Sequence, residues 1–163
     1  MPVAPDLVQT LADFTDATLM LPKLQGRTMP EVMCELSQAL HQQDASVPDI
    51  LYPSLKALTR ELLTSRALDA GSAFPEVRLA EVIHPRFALG RADVPLAWRA
   101  VIFPPLEFVF LILQPARPNA TCKKLVTGLK RVGTNAQSLA RLREARDAHE
   151  MLAVLRAEPL PTA

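Results

Sequence analysis

Glu107-Phe108-Val109-Phe110-Leu111-Ile112-Leu113-Gln114 is the stretch on which the fold turns. Its apolar run from Phe108 to Leu113 has no polar alternation and is of strand length, the pattern of a strand covered on both faces. It is therefore the expected centre of a sheet, and it is far too short to cross a bilayer. Pro104-Pro105 turns into it, and Pro115 and Pro118 bracket its exit.

Downstream the spacing predicts three helices. Asn119 or Thr121 caps the first, which runs through Val132 with Leu125, Val126 and Leu129 inward, and Gly133 stands where a left-handed stop is expected. Thr134-Asn135-Ala136-Gln137 reads as a capping box before Leu139 and Leu142; Asp147 with Glu150 opens the last helix, carrying Met151, Leu152 and Leu155.

Upstream, Leu7 to Phe14 holds a helical turn, and Thr18 to Leu21 reads as a short strand stopped by Pro22. Thr28-Met29-Pro30-Glu31 combines a threonine cap, an early proline and a glutamate three residues on, so a helix starts there with Val32, Met33, Leu36 and Leu40 on one stripe. Leu51, Leu55, Leu58 and Leu62 imply a second helix, capped by Asp49 or Ser54. Leu68 to Pro75 lacks periodicity and reads as a loop.

The run Ala80-Glu81-Val82-Ile83-His84-Pro85-Arg86-Phe87 then reads as a strand, with His84 held extended at its end by the following proline. Leu96 to Val101, with partial alternation, is a further strand with one wet face. The order of elements implies an α/β, three-layer sandwich in which a mixed sheet is flanked by helices. Residues 1–6 are expected to be a flexible arm, 7–157 a single domain and 158–163 a tail.

A chain of 163 residues with 49% hydrophobic content suits one buried core, and a formal charge of +1 provides no strong field for nucleic acid or membrane. The two cysteines, Cys34 and Cys122, fit no metal or disulfide pattern; with no secretion signal the expected compartment is the cytoplasm. For the same reason the glycosylation-like Asn119-Ala120-Thr121 carries no weight. His41 and His149 read as surface residues, Trp98 as packing, and Lys123, Lys124, Lys130 and Arg131 as a solvated helix face.

The arrangement resembles the enzyme IIA domain of the bacterial phosphotransferase system, fructose/mannitol class, and within it the nitrogen-regulatory branch. The resemblance rests on Leu24-Gln25-Gly26-Arg27-Thr28 leading into a capped helix, on Arg60 to Leu68 before a Gly-Ser loop, and on Val82-Ile83-His84-Pro85-Arg86. Phe108 to Pro115 and Leu139 to Glu150 complete it. It implies that His84 accepts a phosphoryl group from a phosphocarrier protein and that partners are regulated by the phosphorylation state. It further implies Arg86, Ser72 and an upstream arginine, Arg66 beside Ser65, as phosphate-binding residues, with no cofactor, metal, nucleic acid or membrane insertion. Three departures from the family pattern stand out. Ala70-Gly71-Ser72-Ala73-Phe74-Pro75-Glu76 lacks the later loop glycines and is followed by about three added residues before the histidine. Ile83 replaces the proline before it, and Cys122 occupies the position of a second histidine. They leave as an alternative a degenerate enzyme IIA-like fold acting as a phosphorylation-independent interaction module.

Overall fold

The computed structural model describes residues 9–64, 70–96 and 105–162. The expected arm at 1–6, Arg66, Trp98 and most of the Leu96 to Val101 strand lie outside the described residues. A mixed sheet of five strands is flanked by five α-helices among the described residues. The strands are β1 (Met20–Leu24), β2 (Ser72–Ala73), β3 (Glu76–Leu79), β4 (Arg86–Leu96) and β5 (Leu106–Pro115).

As its unbroken apolar run requires, β5 is central. Phe108 to Leu113 are each 0% exposed. One edge of β5 pairs antiparallel with β4, Arg86 opposite Leu113 and Arg91 opposite Phe108. The other pairs parallel with β2 and then β3, Ser72 opposite Phe108 and Leu79 opposite Pro115. β1 closes the far side against β4 in parallel.

Helix α1 (Met29–Gln43) begins as its sequence dictates: Thr28 Oγ1 accepts the Glu31 amide and Glu31 reaches back to the Thr28 amide. It lies with α2 (Leu51–Thr64), whose Leu51 amide donates to Asp49 Oδ1. The remaining helices, α3 (Ala120–Thr134), α4 (Ala136–Glu144) and α5 (Ala148–Arg156), form the second helical group; α3 packs on β5 and β2, and α5 on β1. Asn119 rather than Thr121 caps α3. Asn135, one residue later than the expected Thr134, caps α4, and Asp147 caps α5.

Several boundaries differ from the sequence expectation, each for a physical reason. Pro22 does not stop β1, which runs through it, because among the described residues β1 pairs on one side only and an edge strand tolerates a missing donor. Part of the expected loop, Ser72–Ala73, is the strand β2. Of the expected strand from Ala80 to Phe87, only Arg86 and Phe87 are extended, as the start of β4; a turn and a bend precede them. β3 stops at Leu79, whose carbonyl is taken by the Val82 amide as the chain turns away from β5. The chain crosses the end of β5 and returns as β4. Residues 158–161 are tied down: Thr10 bridges Pro159, the Leu160 amide donates to the Gln9 carbonyl, and Pro161 is buried.

Gly133 does not end α3, which continues to Thr134, and its backbone is not left-handed. Its value is its missing side chain: a Cβ there would lie 2.3 Å from Phe74 Cζ and 3.2 Å from Ser72 Cβ. The Phe74 ring cannot yield easily, being fully buried and stacked on Phe110 at 5.0 Å. Gly133→Ala should therefore lower stability. Alanine gains up to about 1 kcal/mol of helix propensity, which overpacking of roughly 1–3 kcal/mol outweighs. A fall in the urea midpoint checks this, and a rise would show that the ring shifts freely.

Candidate functional site

The loop between β3 and β4 carries His84 over the C-terminal end of β5. Val82 anchors the loop by burying its side chain, 5% exposed, and Pro85 is buried on the other side. Between these two pins, Ile83 is 77% exposed and His84 is exposed. No hydrogen bond or ion pair engages the imidazole among the described residues. An accessible ring nitrogen with a free lone pair is a competent nucleophile near neutral pH.

Arg86, two residues on, opens β4. Its Nη1 donates to Asp44 Oδ2 and Gln43 Oε1, both at 2.9 Å, so the guanidinium is engaged at the C-terminal end of α1. Asp44 is held below the ordinary aspartate range by the Ser46 hydroxyl, then the Ser46 amide, then Arg86. The result is a small polar junction between α1, its following turn and the strand that leaves the histidine loop.

The other residues implied by the resemblance are not all gathered at His84. Ser72 sits opposite Phe108, five rungs of β5 from Leu113, roughly 16 Å at about 3.3 Å per residue. Ser72 is 0% exposed and its Oγ has no hydrogen-bond partner among the described residues. It packs towards α3 near Gly133 and does not lie beside the histidine. Cys122 does come to the same end of the sheet, because α3 starts just after β5. Its amide donates to Asn119 Oδ1, and the residue is fully buried as a free cysteine. A thiol so placed acts as a small apolar side chain. The sequence pattern missed the partners of Arg86: nothing in Gln43 or Asp44 marks them locally, since they lie 43 and 42 residues away.

His41 Nδ1 lies 2.6 Å from the Val47 carbonyl, helping to fold the turn after α1, and His149 is exposed on α5. Among the described residues no three His, Cys, Asp or Glu side chains group as metal ligands, and no helix is long and apolar enough to cross a membrane.

The Asp44 carboxylate contributes to stability in its ionised form, because its folded-state pKa lies below the unfolded one. That contribution is fully present above the unfolded value and disappears as the pH falls through the folded one. Asp44→Asn should therefore lower the urea midpoint near neutral pH, and the gap from the wild type should narrow progressively as the pH falls below the ordinary aspartate range. A gap unchanged by acid would show that the carboxylate charge is not what matters.

Comparison with known proteins agrees with this architecture. No family model matches the chain. A nitrogen regulatory protein of Bradyrhizobium diazoefficiens is 25% identical over 157 residues, covering 94% of this chain and 99% of that one. The crystal structure of nitrogen regulatory protein IIA-Ntr from Neisseria meningitidis superposes with a TM-score of 0.70 at 22% identity, covering 89% of this chain and 98% of that chain. The mannitol IIA crystal structure from Escherichia coli superposes at 0.63 with 17% identity, covering 86% and 97%. Fold, element order and near full-length coverage agree: this chain has the enzyme IIA fold and resembles its nitrogen-regulatory branch.

Proposed function

We propose that this protein is an enzyme IIA-like regulator that accepts a phosphoryl group on His84 from a phosphocarrier protein, its phosphorylation state controlling the binding of partners. The observation that carries the reading is an exposed imidazole on a loop pinned by buried Val82 and Pro85 at the C-terminal end of the sheet. The unprotonated ring nitrogen attacks phosphorus as the bond to the carrier breaks, so the group moves without a change of redox state. The added charge at an exposed bend then alters any surface that docks there. Arg86 is the nearest cation in sequence, but it would have to share its guanidinium with Asp44 to meet the phosphate.

A second reading is favoured by the same geometry. Ser72 is remote, Cys122 is buried, and Arg86 is already paired, so the anion would be weakly stabilised. On that reading the fold serves as a phosphorylation-independent interaction module. Incubation with a radiolabelled phosphocarrier protein separates the two. The phosphotransfer reading expects an acid-labile label on the wild type and none on His84→Ala. An unlabelled wild type, with a partner captured equally by both proteins, leaves the module.

A further inference from the structure

The β3 side of the sheet carries a second feature, distinct from the histidine loop. β3 pairs with β5 alone, so among the described residues its outer edge has no partner strand. Half the backbone groups of such an edge point away from the sheet and are able to pair with an added strand. A cleft of about 500 Å³ lies between this edge and α2, lined by Tyr52, Lys56, Arg60, Phe74, Val77 and Arg78, among others.

The charge of the cleft is asymmetric. Lys56 and Arg78 bring exposed cations, whereas both carboxylates of the lining accept hydrogen bonds from the protein itself. Glu61 Oε1 accepts the Phe74 amide at 3.1 Å, and Glu76 Oε1 accepts Gln114 Nε2 at 2.7 Å. Apolar surface is also present: on α2, Tyr52 is 71% exposed and Leu63 81%, eleven residues apart on one helical face. Lys56 Nζ sits 5.6 Å from the Tyr52 ring centroid, which steadies the ring at the rim. Leu63 lies outside the lining of the cleft, with Lys56 and Thr59 between it and Tyr52 on that face, so the surface continues farther than a small anion reaches.

We propose that the α2–β3 face docks an extended acidic segment of a partner protein, which adds a strand along β3 and places carboxylates against Lys56 and Arg78. The charges select the partner and speed its approach, and the backbone ladder with Tyr52 supplies contact area. The proposal does not depend on phosphoryl transfer, and its test reads peptide binding alone.

The probe is a fluorescein-labelled octapeptide of alternating Glu and Val, followed by anisotropy, with a Lys/Val peptide as control. The expected result is saturable binding of the acidic peptide only, with slowed amide exchange at Glu76–Leu79 by NMR. The double reversal Lys56→Glu with Arg78→Glu, both positions exposed, should weaken that binding roughly tenfold or more. It should also gain binding of the Lys/Val peptide, a positive readout that a misfolded variant cannot give. Equal binding of both peptides by the wild type, insensitivity to the reversal, or amide changes elsewhere would overturn the proposal. So would displacement by ATP without protection of β3, which would make the cleft a small-anion site, or a concentration-dependent dimer that protects the same amides.

Discussion

A strand buried on both faces must have its backbone satisfied at both edges, because no water reaches it to replace a missing partner. β5 imposes that requirement here. With Phe108 to Leu113 fully buried, its amides and carbonyls need β4 on one side and β2 with β3 on the other, and its side chains need a helical layer on each face. Each large apolar side chain buried there contributes about 1.5–3 kcal/mol. Losing either flanking strand would therefore expose both apolar area and unpaired backbone. Arg91 extends the same logic outward from β4. Its Nε donates to the Pro22 carbonyl of β1, and its Nη1 donates at 2.6 Å to the Leu142 and Ala145 carbonyls, which α4 leaves unpaired at its end.

The candidate site follows from how β5 ends. β3 stops opposite Pro115, the last residue of β5, where the Val82 amide takes the Leu79 carbonyl, and the chain crosses to the opposite edge of β5 to become β4. A crossing loop over the end of a buried strand is solvent-facing, which is why His84 is presented and not packed. The same topology decides what does not reach it. β2 lies at the other end of β5, so Ser72 is remote despite its nearness in sequence. α3 begins at the right end but turns Cys122 inward, where its apolar face meets the sheet. Arg86 is drawn to the α1 terminus, where Asp44 offers a charge-assisted bond and the helix end favours a cation.

Much of this architecture is legible in the sequence. The Thr28 and Asp147 caps, the α2 stripe and the double-sided β5 run are local signals whose physics acts over a few residues, and they appear where their residues place them. The misreadings share one cause, that pairing partners lie far away in sequence. Pro22 is tolerated because β1 is an edge among the described residues, Ser72–Ala73 becomes a strand because Phe108–Val109 accepts it, and Gly133 serves the Phe74 ring and not a helix stop. In the site, the exposed histidine was readable from the His-Pro pair, whereas the engagement of Arg86 by Gln43 and Asp44 was not.

By itself the sequence determined which segments are helical, which strand is central, and that one histidine sits beside a chain break at the sheet, because capping, periodicity and proline geometry are properties of neighbouring residues. Only the tertiary structure decided which edge stays open, which cation is already paired and which serine and cysteine are sealed away. Those outcomes depend on what long-range packing brings together, and no local pattern encodes the partner at the other end of the contact.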